Sequence, residues 1–110
     1  GERLLVLLNR DSSLRVLRAN SLEASPAPTE GPVAAFAGWR DLVAAAEVAA
    51  PNRIRVFKAG EGSGWEGVWT SGPLPGRASA LCVGRVRGRI SVLAFVADGG
   101  QSQALLLPLP

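Results

Sequence analysis

The chain has 110 residues, 47% of them hydrophobic and 19% charged, and its 12 basic and 9 acidic side chains leave a net charge of +3. This composition is typical of one globular domain and excludes a chain that stays disordered. The apolar runs are too short for a membrane-spanning helix, which needs about 18 apolar residues. The lone Cys82 excludes an internal disulfide, so we expect a reducing, cytoplasmic location.

The first predicted elements are two strands joined by a polar turn. Leu4–Leu8 is a short, wholly apolar run, as expected of a strand buried on both faces. Residues 9–13 supply turn chemistry, and Leu14–Arg18 resumes a strand-like pattern. The start of the chain is therefore predicted to form a hairpin, followed by a proline-containing loop over residues 21–31.

Residues 32–50 are predicted to form one principal helix. Alanine, valine and leucine dominate this stretch, Pro32 suits a first helical position, and Pro51 would end the helix. Four residues at helical spacing would share one stripe: Phe36, Trp39, Val43 and Ala46. We expect this stripe to pack on the face of a sheet.

The remainder of the chain is predicted to be β-structure with glycine-rich connections. Residues 53–57 alternate with period two, which places Ile54 and Val56 inward. A glycine-rich loop is expected over residues 60–67, and a short strand over residues 67–70. Two longer strand-like runs flank a two-residue loop at Arg87-Gly88, and residues 104–107 would add a last strand.

Together these elements predict an α+β fold, mainly an antiparallel sheet of five to six strands with one principal helix packed on a face. Residues 1–110 would form a single α+β domain excised from a larger protein. A chain of 110 residues can bury one hydrophobic core but not two, so we expect no division into two domains.

Catalytic chemistry has little support in the sequence. The chain has no histidine, which removes serine triads, Cys-His pairs and His-coordinated zinc. Cys82, between Leu81 and Val83, is predicted to be a buried strand thiol. The carboxylates are predicted to be solvated surface charges without an acid–base pair. We therefore expect a protein that is not an enzyme, with no cofactor and no metal site.

A glycine pattern of the type found in dinucleotide-binding loops occupies residues 62–67. That loop works by opening a helix whose free N–H groups receive a pyrophosphate. Strand-like residues follow here, so a flexible hairpin loop is the favoured interpretation.

Two sets of side chains could bind a partner. A ligand pocket is predicted to be bounded by Trp39, Val43, Trp65 and Trp69, with core packing as the alternative role of the tryptophans. A basic patch could form from Arg53, Arg55, Arg85, Arg87 and Arg89. Because no aromatic residue lies between Cys82 and Leu93, solvated strand-end charge is favoured over nucleic-acid binding.

Two stretches resemble the opening and closing hairpins of GAF-type sensory domains. Residues 4–20 (LLVLLNRDSSLRVLRAN) are similar to the first, and residues 79–95 (SALCVGRVRGRISVLAF) to the second. PAS-like and profilin-like domains use similar hairpins. The resemblance implies a non-catalytic module with a pocket between helix and sheet that binds a small molecule or passes a signal by association. Without histidine, chromophore attachment is not implied.

Three functions follow as hypotheses. The first is a regulatory or sensory binding domain of a larger cytoplasmic protein, acting in signal transduction. The second is a protein–protein interaction module, in contact with other domains of its parent, a partner protein or a second copy, through a sheet edge or residues 104–109. Nucleic-acid binding ranks third, and no membrane contact is expected.

Overall fold

The computed structural model describes residues 4–8, 11, 13–18, 24–26, 29, 31–48, 53–59 and 64–110. These residues form ten β-strands and no helix. In chain order the strands are β1 (Leu4–Leu8), β2 (Leu14–Arg18), β3 (Ala24–Pro26), β4 (Val33–Trp39), β5 (Leu42–Glu47), β6 (Arg53–Ala59), β7 (Trp65–Thr70), β8 (Arg77–Val86), β9 (Arg89–Asp98) and β10 (Gln101–Pro108). Within these ranges there is accordingly no helix long and apolar enough to cross a membrane.

The strands form three antiparallel sheets, each made of consecutive strands. Sheet A has the order β1-β2-β3, sheet B the order β4-β5-β6-β7, and sheet C the order β8-β9-β10. Within each sheet every strand pairs with its neighbour along the chain, so the strands of a sheet follow one another as antiparallel hairpins without crossovers.

The predicted α+β class is wrong, because the span assigned to the helix forms β4 and β5. The chain reverses at Arg40 and Asp41, where Arg40 adopts a φ of 57° and Trp39 pairs with Leu42. Every side chain of β5 is buried, so the strand lacks the polar alternation that marks a sheet with one solvated face. Its apolar residues therefore matched a helical spacing by coincidence.

Sheet B is the middle layer of a three-sheet stack. The interface of sheets A and B is filled by Leu14, Val16, Val33, Val43, Ala45 and Phe57. The interface of sheets B and C is filled by Ala35, Leu42, Ala44, Ala46, Ile54, Val56, Ala78, Leu81, Val92, Ala94, Val96 and Leu109. Strand β5 contributes to both interfaces, and burial of each large aliphatic side chain contributes about 1.5–3 kcal/mol. Alanines in β5 allow both neighbouring sheets to approach closely.

Sheet C repeats the plan of sheet B. In each sheet a two-residue turn joins the first two strands, Arg40-Asp41 in sheet B and Arg87-Gly88 in sheet C. Both turns contain an arginine with positive φ. The first strand of each sheet also lies against the first strand of the next, β1 on β4 and β4 on β8. The three sheets are thus successive units of one stacking arrangement.

Several local predictions are confirmed. Strands β1 and β2 form the expected hairpin, residues 87 and 88 form the two-residue turn with φ values of 51° and 81°, and Ile54 and Val56 point into the core. The last strand is present as β10. In the first turn, the side-chain and backbone donors of Ser13 bond to Asp11 Oδ1 at 2.5 and 3.0 Å and lower the pKa of that carboxyl.

Other local predictions are wrong. Strand β1 is not buried on both faces, since Leu5 is 55% exposed. Strand β3 occupies part of the loop predicted over residues 21–31, and β7 begins at Trp65 within the predicted glycine-rich loop, whose residues 60–63 lie outside the described part. Glu47 is buried rather than solvated, and its Oε1 lies 3.0 Å from Arg55 Nε.

Cys82 is exposed, which corrects its prediction as a buried thiol. The alternation of β8 sends Leu81 into the interface with sheet B and turns Cys82 to the opposite side. We call that side of sheet C the outward face; it includes Ala80, Cys82, Leu93, Phe95, Ala104 and Leu106.

Candidate functional site

The hairpin turns of sheets B and C border one groove at the end of the stack. Its volume is about 530 Å³. The lining comes from both turns, from the end of β6, from β7 and from the segment after β10: Trp39, Arg40, Asp41, Leu42, Lys58, Val68, Arg85, Gly88, Arg89, Ile90, Leu109 and Pro110. We call this site the basic groove.

Positive charge dominates the lining. Arg40, Lys58, Arg85 and Arg89 line the groove, whereas Asp41 is the one carboxylate among the described side chains there. Lys58 Nζ lies 3.7 Å from Asp41 Oδ2, and both side chains are about half exposed, so this ion pair is weak. The remaining three guanidinium groups leave a net positive field in the groove.

Two of the arginines are held in place by contacts other than ion pairs. The Arg40 guanidinium lies over the Trp39 ring, 4.7 Å from its centroid, a cation–π contact worth about 0.5–1 kcal/mol at an exposed site. Arg89 Nη2 donates to the Leu109 carbonyl oxygen at 2.7 Å, and the Leu109 N–H donates to the Ile90 carbonyl oxygen at 2.9 Å. Each guanidinium has five N–H donors, so most donors stay directed to solvent or ligand.

The apolar lining lies between these cations. Leu42 is buried, and Trp39 and Ile90 are partly buried against the core of sheets B and C. A ligand that fits this groove would pair carboxylate or phosphate groups with the arginines and place an aliphatic part over Leu42 and Ile90.

The four residues predicted to bound one pocket lie on both faces of sheet B. Trp39 and Trp69 pack towards sheet C, while Val43 and Trp65 pack towards sheet A. The Trp65 ring meets Phe57 edge to face at a centroid distance of 5.2 Å. Trp65 and Trp69 line a second groove of about 450 Å³ along β6 and β7, and only Trp39 reaches the basic groove.

The five predicted patch arginines also divide between two places. Arg85 and Arg89 line the basic groove, and Arg87 is exposed at the adjacent turn. Arg53 pairs with Glu47 at one end of the β5–β6 ladder. The Leu42–Lys58 pair, which lines the basic groove, lies at the opposite end. Arg55, on the same strand, makes the ion pair with Glu47 described above.

Arg40, Asp41 and Lys58 were not predicted as site residues. Assignment of residues 32–50 to a helix placed Arg40 and Asp41 on its solvent side. The available signal was the polar pair Arg40-Asp41 between two apolar runs, which is typical of a hairpin turn. The turn was missed because Arg40, its first residue, adopts a positive φ, which is uncommon for a residue other than glycine.

Comparisons with known proteins do not assign the groove. No protein-family model matches the chain, and no curated protein or solved structure matches it. The resemblance to GAF-type domains therefore stays a prediction, and the function is argued from the groove itself.

Proposed function

We propose that this chain is a non-catalytic binding domain that recognises an acidic peptide segment in the basic groove. The observation that carries the proposal is the gathering of Arg40, Arg85 and Arg89 around an apolar floor. Asp41, the one side-chain carboxylate among the described lining residues, already pairs with Lys58. Such a groove favours a ligand with several anionic groups, because each guanidinium can bind a carboxylate through two parallel hydrogen bonds.

The shape and composition of the lining favour a peptide over a nucleic acid. Bases are held mainly by stacking on free aromatic faces. Trp39 is the one aromatic residue among the described lining residues, and Arg40 already covers its ring at 4.7 Å. The aliphatic side chains of Leu42 and Ile90 instead suit the apolar side chains that alternate with acidic ones in a peptide.

The proposal predicts that one arginine of the groove contributes measurably to affinity. Arg85 forms no ion pair with the described residues, so Arg85→Gln should leave the fold intact. We expect it to weaken binding of a fluorescein-labelled peptide of alternating glutamate and leucine about fivefold at low salt, since a partly exposed ion pair contributes up to about 1 kcal/mol. Fluorescence anisotropy gives the dissociation constant.

Arg77→Gln is the matched control, because Arg77 is exposed at the opposite end of β8 and the substitution removes the same charge. We expect Arg77→Gln to change the dissociation constant by less than about twofold, because salt screens a charge that lies far from the groove. Equal losses in the two variants would mean that net charge alone attracts the peptide. A peptide with glutamine in place of glutamate should not bind, and tighter binding of a single-stranded oligonucleotide would overturn the choice of ligand.

A further inference from the structure

The free edge of sheet C offers a second interaction surface, independent of the basic groove. In sheet B the third strand, β6, is flanked by a fourth strand, β7, whereas in sheet C the third strand, β10, pairs only with β9 among the described strands. Strand β10 is eight residues long and pairs with β9 without a register shift. It is therefore a long, regular edge strand.

The backbone groups on this edge can be assigned from the ladder. The Leu109 N–H donates to Ile90 in β9, and antiparallel pairing alternates the direction of successive N–H and C=O groups. Leu105 and Leu107 consequently bond towards β9. The backbone N–H and C=O groups of Ser102, Ala104 and Leu106 point to the open edge. Pro108 has the same orientation, but its nitrogen carries no hydrogen and cannot donate.

Apart from Pro108 at its end, the edge lacks the features that usually prevent strand pairing. Edge strands are commonly protected by charged residues, bulges or short length. Strand β10 has the sequence QSQALLLP, which contains no charge, and Leu106 is 50% exposed. On the adjacent strand Phe95 is 40% exposed, so the apolar outward face continues to the edge.

We propose that β10 pairs with β10 of a second copy of this chain, antiparallel about a two-fold axis at Ala104. In this register Ala104 faces Ala104 of the second copy, and Ser102 faces Leu106. The backbone groups of the three outward-pointing residues then form about six interchain hydrogen bonds, two for each facing pair. Pro108 falls beyond these pairs. The two sheets C become one continuous sheet whose apolar outward face runs across both protomers.

Charge supports a second copy in this orientation. A two-fold axis sets a strand against itself, and β10 carries no charged side chain that its own copy would repel. Antiparallel pairing also places the end of sheet C that carries Arg85, Arg87 and Arg89 beside the partner's other end, where Arg77 and Asp98 offset each other. A parallel arrangement would bring the three arginines of one copy beside those of the other.

The first test is the mass of the native chain by light scattering over a concentration series. We expect a dimer that dissociates on dilution. Ala104→Pro should be monomeric at every concentration, because it removes an outward-pointing N–H while the bonds to β9 remain. An unchanged thermal unfolding midpoint after extrapolation to infinite dilution would show that the variant folds. A native chain that stays monomeric, or an Ala104→Pro variant that dimerises like the native chain, would overturn the proposal.

The second test reads the register. In a Cys82→Ser background, Ala104→Cys should form an interchain disulfide under mild oxidation, because facing residues have Cα atoms about 5.5 Å apart. Ser102→Cys is the matched control: it lies on the same exposed edge, but its two copies would be separated by four residues, or about 13 Å. Equally fast cross-linking at both positions would contradict the proposed register. Cross-linking of Ser102→Cys alone would overturn it in favour of a register with the two-fold axis at residue 102.

Failure of this proposal is distinguishable from failure of the proposed function. Ala104 lies outside the basic groove, so Ala104→Pro should bind the acidic peptide with native affinity. Arg85→Gln should dimerise as the native chain does.

Discussion

At the scale of single residues, one glycine marks a close approach of two backbone segments in sheet C. Gly76 precedes β8, and a Cβ added at this position would overlap the carbonyl oxygen of Ala97 in β9. That neighbour is backbone and cannot rotate away. A Cβ added at Gly84, within β8, would meet no atom outside its chain neighbours within 4 Å.

We therefore expect Gly76→Ala to lower the free energy of unfolding by about 2 kcal/mol, as overpacking against backbone does. Gly84→Ala should change it by no more than about 0.5 kcal/mol. Urea unfolding of the two variants beside the native chain measures both quantities. Equal stability of the two variants would show that Gly76 is not the point of close approach described here.

At the scale of elements, β5 explains both the error in fold class and the stability of the stack. Ala44 faces sheet C and Ala45 faces sheet A, and neither is exposed to solvent. Successive side chains of a strand point to opposite faces, so a strand with one solvated face would leave one of the two residues accessible. Strand β5 lies between two sheets and buries both.

Ala44→Leu and Ala45→Leu should each destabilise the protein by about 1–3 kcal/mol, because neither interface has room for three more carbon atoms. Ala80→Leu, the same substitution on the exposed outward face, is the control and should be close to neutral. Thermal or urea unfolding distinguishes these outcomes. Tolerance of leucine at either buried position would argue against burial of β5 on both faces.

Hairpins and strands with local signals could be predicted from the sequence, whereas the burial of β5 on both faces could not. Arg87-Gly88 carries a glycine that tolerates positive φ, and residues 53–57 alternate in polarity, so both were identified correctly. The Arg40-Asp41 turn has no glycine, and β5 has no polar alternation, since its partners on both faces come from distant parts of the chain. The same long-range stacking decided which side of β8 carries Cys82.

The candidate site was predicted only in part for the same reason. Trp39, Arg85 and Arg89 were each singled out, but in two separate sets, because a groove between two sheets depends on how the sheets stack. Arg40 and Lys58 complete the site through the β4–β5 turn and the end of β6. Local pattern identifies such residues individually, and tertiary structure brings them together.

At the scale of the whole molecule, the stack leaves two surfaces available for association. The basic groove lies at the hairpin end between sheets B and C, and the free edge of β10 lies at the side of sheet C. The groove presents cations around aliphatic side chains, whereas the edge presents backbone groups without charge. The two surfaces therefore suit different partners, an acidic peptide and a second copy.

The most direct test of the proposed binding site is backbone amide chemical-shift mapping during titration with the glutamate–leucine peptide. We expect the largest shifts at residues 39–42, 58, 68, 85, 88–90 and 109, which line the groove, and the shifts should disappear as salt is raised. Saturable changes confined to this set would support the account. Changes centred on Arg53 and Arg55 at the other end of sheet B, or weak changes scattered over the surface, would contradict it.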